Sequence, residues 1–179
     1  MRRKIITYPN KRLFLRSQEI TSFDEGLHTL LDDMYETMIE HNGVGLAAIQ
    51  IDEPLRVLLV NIPDENGEQH KEDLLELINP KLSTIGEELI TFTEGCLSIP
   101  DFFEEVTRHK NIRLEYQDRF GKPCALEASE FLAVAIQHEV DHLNGHLFIE
   151  KLPYSKHVKF EKEFKKKQKD EKAKKRKPQ

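Results

Sequence analysis

The segment with the clearest chemical potential is Gln137-His138-Glu139-Val140-Asp141-His142, which contains the pattern His-Glu-x-x-His. On a helix, residues four apart lie about 40° apart around the axis and about 6 Å apart along it, so His138 and His142 can reach one metal ion. Glu139 is one position further on and can flank that ion as a proton acceptor without binding it. The pattern predicts a metal-dependent hydrolase.

The residues around this pattern argue against a chance occurrence. Apolar side chains cover most of the circumference of a predicted helix from Ser129 to Asn144, which is typical of a buried helix. An unpaired polar group in such a place costs about 1–3 kcal/mol. Two His, a Glu and an Asp within five residues of a buried helix therefore indicate that these side chains share an interaction partner. A metal ion would be such a partner.

A catalytic site of this kind takes three protein ligands and leaves one position open, so the third ligand decides the enzyme class. The metzincin pattern is excluded because Phe148 stands where its third His would be. A thermolysin-like Glu is available at Glu161 or Glu163, but both lie in a lysine-rich stretch that is typical of a solvated surface. The remaining candidate is Cys96, whose neighbour Gly95 allows close approach of the backbone.

The elements that must position these residues are helical at both ends of the chain. Ser22 and Glu25 form a capping-box pattern, and apolar residues then recur with helical spacing. This pattern predicts an amphipathic helix that ends near Asn42-Gly43. The recurring residues are Leu27, Leu30, Leu31, Met34 and Met38.

The middle of the chain is predicted to be antiparallel β structure. Branched residues and turn signals indicate a buried strand over 55–62, two extended segments over 74–93 that break near 84–87, and a hairpin that turns at 118–122. Together with the helices, these segments predict an α+β fold. We expect antiparallel sheets around the buried central helix, with an N-terminal amphipathic helix and a C-terminal helix.

The length of 179 residues predicts one globular unit, and the net charge of −5 conceals an uneven distribution. Residues 156–177 contain twelve Lys and Arg against four acids, so an acidic body carries a basic tail. We expect a catalytic domain over 1–153 and a basic helix or tail over 154–179. Val158, Phe160 and Phe164 could dock one face of that helix on the body.

No segment has the apolar length of a secretory leader or of a membrane span. We therefore expect a cytoplasmic protein, and we also expect a monomer. Its two cysteines, Cys96 and Cys124, are more consistent with free thiols or a metal thiolate than with a disulfide. Cys124 has no neighbours suited to chemistry, and we interpret it as a packed or half-exposed thiol.

Three motifs in fixed order resemble the peptide deformylase family. They are Gly43-Val44-Gly45-Leu46-Ala47-Ala48-Ile49-Gln50, Glu94-Gly95-Cys96-Leu97-Ser98 and Gln137-His138-Glu139-Val140-Asp141-His142. Each motif alone is moderately specific, and all three at these separations are very specific. The resemblance spans roughly residues 4–153.

The resemblance implies that Cys96, His138 and His142 bind one metal ion per chain, with water in the fourth position. It implies Fe²⁺ as the preferred ion, with Zn²⁺, Ni²⁺ or Co²⁺ able to substitute. It also implies removal of the N-formyl group from formyl-methionine at the start of nascent polypeptides, with release of formate.

Further roles follow from the same resemblance. Glu139 would transfer the proton. The Gln50 amide and the Leu97 backbone N–H would donate to the oxyanion, and the segment Gly43, Val44 and Gly45 would bind substrate. The basic tail would make ribosomal RNA a natural partner, because clustered Lys and Arg attract phosphate backbones.

The chain departs from the family pattern at three positions. Asn42 stands where many members have Glu, Phe103 lies where an Arg is frequent, and Glu130 occupies a position that is often Gly. The departures at Asn42 and Phe103 bear on substrate binding more than on catalysis, and Glu130 could shift the start of the helix slightly.

Two other functions stay open at this point. One is a zinc metallopeptidase that uses His138, His142 and a downstream Glu. The other is a metal-stabilised binding module, although structural sites usually have four protein ligands and only three good ones are visible here.

Overall fold

The computed structural model describes residues 1–175, and the last four residues of the predicted tail lie outside the described part. The helices are α1 (Glu25–Glu40), α2 (Glu130–Leu143) and α3 (Tyr154–Lys175). The strands are β1 (Gly45–Ala47), β2 (Val57–Val60), β3 (Leu75–Thr84), β4 (Leu89–Cys96), β5 (Ile99–His109), β6 (Asn111–Gln117) and β7 (Pro123–Ser129). Short 3-10 helices cover Lys11–Phe14, Ala48–Ile51, Lys71–Asp73 and Phe148–Lys151.

Two antiparallel sheets surround α2. The larger has five strands in the order β1-β2-β3-β6-β7, and the smaller consists of β4 and β5. Apolar residues of α2 such as Ala133 and Ile136 share one core cluster with Leu58, Leu77 and Ile112 of the larger sheet. The α+β fold with a buried central helix is thus confirmed, as are the β3–β4 break and the β6–β7 hairpin.

Helix α1 buries the predicted apolar stripe, but its N-terminal cap differs from the prediction. The cap residue is Asp24, whose carboxylate accepts a hydrogen bond from the Leu27 backbone N–H at 3.1 Å. Ser22 instead donates its hydroxyl to the Asp24 carboxylate at 2.8 Å. The predicted Ser22 capping box is therefore wrong, because a carboxylate two residues later takes the capping role.

The start of α2 contains Glu130, one of the departures from the family pattern. Ser129 is at the predicted N-cap position, although its hydroxyl makes no capping hydrogen bond. Glu130 follows with φ of 55°, a left-handed conformation that glycine adopts without strain. Its backbone N–H donates to the Lys110 carbonyl at 3.1 Å. Glycine suits this position, and Glu130 takes up the same turn at a local cost.

Helix α3 docks one face on the body, as predicted for Phe160 and Phe164. Phe160 is only 2% exposed and packs against Phe102 with ring centroids 4.8 Å apart. Phe164 is half-buried against Tyr8 at 4.8 Å. Among residues 1–175, none of the helices has the length and apolarity needed to cross a membrane.

Candidate metal centre and active site

Three of the predicted site residues converge beside the central helix. Cys96 ends β4, while His138 and His142 lie one turn apart on the buried face of α2. One donor atom from each of the three lies within 4.8 Å of the others. Cys96 Sγ is 3.3 Å from His142 Nε2. The helical spacing thus brings both histidines close to Cys96.

A buried carboxylate fixes the orientation of His138. Its Nδ1 lies 2.7 Å from Glu94 Oε1, and because a carboxylate only accepts, Nδ1 donates and Nε2 turns toward Cys96. Such a carboxylate–histidine pair is the usual outer support of a metal-binding imidazole. Glu94 also accepts two hydrogen bonds from Arg108, at 2.5 and 2.9 Å.

The same arginine connects the two elements that carry the site. Arg108 on β5 is 5% exposed, and its third contact is Asp141 of α2 at 2.8 Å. Burial alone would raise the pKa of Glu94, but hydrogen bonds from His138 and Arg108 outweigh it and lower that pKa to about 2. Glu94 is thus a carboxylate that braces β4 against α2.

Glu139 is buried next to a glycine. Burial raises the pKa of its carboxyl group to about 7, and its Oε2 has no hydrogen-bond partner within the protein. A Cβ atom on Gly45 would lie 2.4 Å from Glu139 Oε1, so only glycine permits this approach. A carboxyl group with a pKa near neutrality and an open oxygen is suited to accept and return a proton.

The side-chain amide of Gln50 is held in one orientation. Its Oε1 accepts from the Ala47 backbone N–H at 2.9 Å, which directs the NH₂ group toward Ser98 Oγ at 3.2 Å and Cys96 Sγ at 3.5 Å. Both Gln50 and Ser98 are buried. A donor fixed before the reaction is the kind of group that stabilises a developing oxyanion.

These groups open into a cleft of about 540 Å³. Gly43, Val44, Gly45 and Leu97, the residue after Cys96, are among the residues that line it. A Cβ atom on Gly43 would lie 2.8 Å from Leu97 Cδ1, so the glycine segment and the Cys96 segment are in close contact there. Strand β1 is an edge of the larger sheet, and β4 has an unpaired edge in the described structure, so an extended peptide could pair with either.

The donor set fits a divalent transition metal. One thiolate with two imidazoles suits Fe²⁺, Co²⁺, Ni²⁺ or Zn²⁺, and three protein ligands leave a position for a reactant. Burial holds the pKa of His142 well below its usual range, which favours the neutral imidazole that metal binding requires. For His138, hydrogen bonds with Cys96 and Glu94 outweigh burial and raise the pKa. Nδ1 of His142 and Oε2 of Glu139 are both buried without a protein partner, as expected where water belongs to the site.

The residues of the rival metallopeptidase site do not converge. Neither Glu161 nor Glu163 belongs to a group of converging donor atoms within residues 1–175. Glu161 accepts a hydrogen bond from the Tyr8 hydroxyl at 3.1 Å, and Glu163 lies 3.9 Å from Lys159. Cys124 is half-buried on β7, where its thiol lies 3.5 Å from the Lys122 carbonyl.

Sequence reasoning missed the supporting residues Glu94, Arg108 and Ser98. Glu94 is the first residue of the Cys96 motif, two residues before Cys96, so a search for carboxylates that could support a ligand histidine could have found its role. Arg108 gives no local signal, because its partners lie 14 and 33 residues away along the chain.

Comparisons with known proteins agree with this geometry. The profile of the family described as polypeptide deformylase matches residues 2–158. A curated peptide deformylase of Campylobacter jejuni is 71% identical over 172 residues, covering 96% of this chain and 98% of the relative. One from Wolinella succinogenes is 59% identical over 165 residues, covering 92% and 96%. A crystal structure of peptide deformylase from Ehrlichia chaffeensis in complex with actinonin has a TM-score of 0.83 and 39% identity, covering 93% and 97%.

Proposed function

The chain belongs to the polypeptide deformylase family, and from that membership we propose the roles by which its residues carry out the family's reaction. The enzyme is a metal-dependent hydrolase that removes the N-formyl group from formyl-methionine at the start of nascent polypeptides and releases formate. The assignment of roles rests on the convergence of Cys96, His138 and His142, because Cys96 and His138 line the same cleft as Glu139.

We assign Cys96, His138 and His142 as the ligands of one metal ion per chain. Bound there, the ion supplies Lewis acidity and lowers the pKa of a water molecule. The preference for Fe²⁺, with Zn²⁺, Ni²⁺ or Co²⁺ as substitutes, rests on family resemblance, since the donor set accepts all four. Anaerobic purification with elemental analysis, followed by activity assays of the protein loaded with each metal, tests that preference.

The remaining steps belong to the chain's own groups. Glu139 accepts the proton of the attacking water and returns it to the departing amine, for which its raised pKa and unpaired Oε2 are suited. The Gln50 NH₂ group and the Leu97 backbone N–H donate to the oxygen that becomes negative in the tetrahedral state. Gly43, Val44 and Gly45 bind the peptide backbone along the edge of β1.

The chain contains a matched pair of cysteines for testing the ligand set. Formate release from a formyl-Met peptide and metal content are measured for Cys96→Ala and for Cys124→Ala. We expect Cys96→Ala to lose both metal and turnover and Cys124→Ala to retain both. A Cys96→Ala protein with a full metal load would instead favour the metallopeptidase site.

We propose that the chemistry resides in residues 1–153 and that the basic segment 154–179 binds ribosomal RNA. Phe160 and Phe164 occupy the docked face of α3, which leaves exposed lysines such as Lys162, Lys166 and Lys169 on the other faces. A row of exposed lysines attracts phosphates with an affinity that falls steeply with salt. We also propose that the protein is cytoplasmic, where its nascent-chain substrates are made, and that it is a monomer. Cell fractionation tests the location, and gel filtration tests the oligomeric state.

Removal of the whole segment is a poor test of this role, since it would uncover the surface that buried Phe160 covers. Replacement of Lys162, Lys166, Lys169 and Lys172 by Gln leaves that face intact, and replacement by Arg is the control that keeps the charge. We expect the Gln variant to lose salt-sensitive ribosome co-sedimentation while peptide deformylation persists. Unchanged co-sedimentation of the Gln variant would contradict RNA binding by these lysines and would leave α3 with a structural role alone.

A further inference from the structure

One large apolar side chain stands exposed at the rim of the cleft. Phe103 is 68% exposed, and of the exposed large hydrophobic residues described within 1–175, it is the one that lines this cleft. A solvent-exposed phenyl ring beside a substrate site is a contact surface that is unused in the free protein. The ring of Phe103 is therefore available to contact a peptide bound in the cleft.

The ring of Phe103 lies against the backbone next to a metal ligand. Gly95 and Phe103 are paired across β4 and β5, and a Cβ atom on Gly95 would lie 2.4 Å from Phe103 Cε1 and 2.6 Å from Cδ1. The absence of a side chain at Gly95 thus lets the ring of Phe103 lie close to the backbone of β4. Cys96 is the residue after Gly95, so the ring of Phe103 lies beside the residue that precedes a proposed metal ligand.

The residues on both sides of Phe103 are anchored to the C-terminal helix. Lys167 contacts the Asp101 carboxylate at 2.7 Å, and Lys156 contacts the Glu104 carboxylate at 2.7 Å. Phe102 points into the core and is 8% exposed. With its neighbours held, the ring presents its free face without the entropic cost of ordering a mobile loop.

We propose that Phe103 is a specificity-determining residue that favours formyl peptides with a large apolar side chain at the second or third position. The inference rests on the proposed function, in which formyl-methionine is bound beside Cys96. An extended peptide advances about 3.3–3.6 Å per residue, so we place the side chains one or two residues beyond the methionine near the part of the cleft that Phe103 lines. The acids that flank Phe103, Asp101 and Glu104, already contact lysines, which leaves the apolar ring as the free recognition group.

The test compares kcat/KM for three peptides, formyl-Met-Ala-Ala, formyl-Met-Phe-Ala and formyl-Met-Ala-Phe, on the metal-loaded enzyme. We expect at least one aromatic peptide to be preferred over the alanine peptide by roughly 3- to 10-fold, the range of a single aromatic contact. Phe103→Ala should abolish this preference, and Phe103→Leu should retain part of it because leucine keeps an apolar surface.

The matched control is Phe120→Ala, since Phe120 is 72% exposed and packs against His28 rather than lining the cleft. It should leave the preference as in the wild type. Equal kcat/KM values for the three wild-type peptides, or a preference that survives in Phe103→Ala, would overturn the inference and leave the proposed function standing. Absence of formate release from all three peptides would contradict the proposed function itself.

Discussion

Substitution of Gly45 by Ala probes how closely the backbone at Gly45 approaches Glu139, the proposed proton acceptor. The three atoms nearest to a Cβ at Gly45 all belong to Glu139: Oε1 at 2.4 Å, and Cδ and Cγ at 2.9 Å. Gly45 is not among the residues of positive φ, so the added methyl group introduces a contact and not backbone strain. The substitution therefore acts on Glu139.

The size of the effect follows from the contact distance. Ordinary contacts of a Cβ begin near 3.4 Å, so the Glu139 carboxylate must retreat by about 1 Å. Misplacement of a catalytic group by about 1 Å can cost about 10²-fold in rate. We expect kcat to fall about 100-fold while one metal ion per chain is retained.

The assay is steady-state formate release from a formyl-Met peptide, with metal content and thermal unfolding measured on the same samples. Gly26→Ala is the control, since its nearest contact is the Asp24 side chain at 3.1 Å in the first turn of α1. In a Glu139→Asp background the shorter carboxylate relieves the contact, so the Gly45→Ala penalty should shrink. A kcat for Gly45→Ala within about threefold of the wild type at full metal load would refute the reasoning.

Three further substitutions separate the roles of the site residues. Glu139→Gln preserves size but cannot accept a proton, so it should keep the metal and lose about 10²- to 10⁴-fold in deformylation rate; a loss below about threefold would remove Glu139 from the mechanism. His138→Ala should lose metal and activity together, and elemental analysis that finds one metal per chain would show that the ligand set is wrong. Glu94→Gln removes the charge that supports His138 and Arg108, so we expect about 10- to 100-fold weaker metal binding in a chelator competition and a lower melting temperature; unchanged values of both would contradict the bracing role.

The central helix and the proximity of its two histidines could be predicted because their signals are local. His138 and His142 are four residues apart in an otherwise apolar helix, and this spacing alone predicts a shared ion. Cys96 is the candidate that remains when the rival third ligands are rejected, and it lies in a family motif. The structure places its thiol 3.3 Å from His142 Nε2. The hairpin from β6 to β7 was likewise marked by a glycine-containing turn.

Features that depend on tertiary contacts could not be predicted in the same way. The choice of Asp24 over Ser22 as the cap of α1 is decided by which oxygen reaches the Leu27 N–H. The Arg108 contacts with Glu94 and Asp141 join β5, β4 and α2, and no periodicity in β5 indicates them. The approach of Phe103 to Gly95 follows from strand register, which is a property of the folded pair.

The most direct test of the account is a metal titration of the protein after anaerobic chelation. Formate release from a formyl-Met peptide is followed as Fe²⁺ is added, for the wild type and for Cys96→Ala. We expect no formate release without metal. In the wild type, the rate of release should rise linearly with Fe²⁺ and level off at one equivalent per chain, and in Cys96→Ala it should not recover. Turnover in the metal-free wild type, or full recovery in Cys96→Ala, would contradict the account.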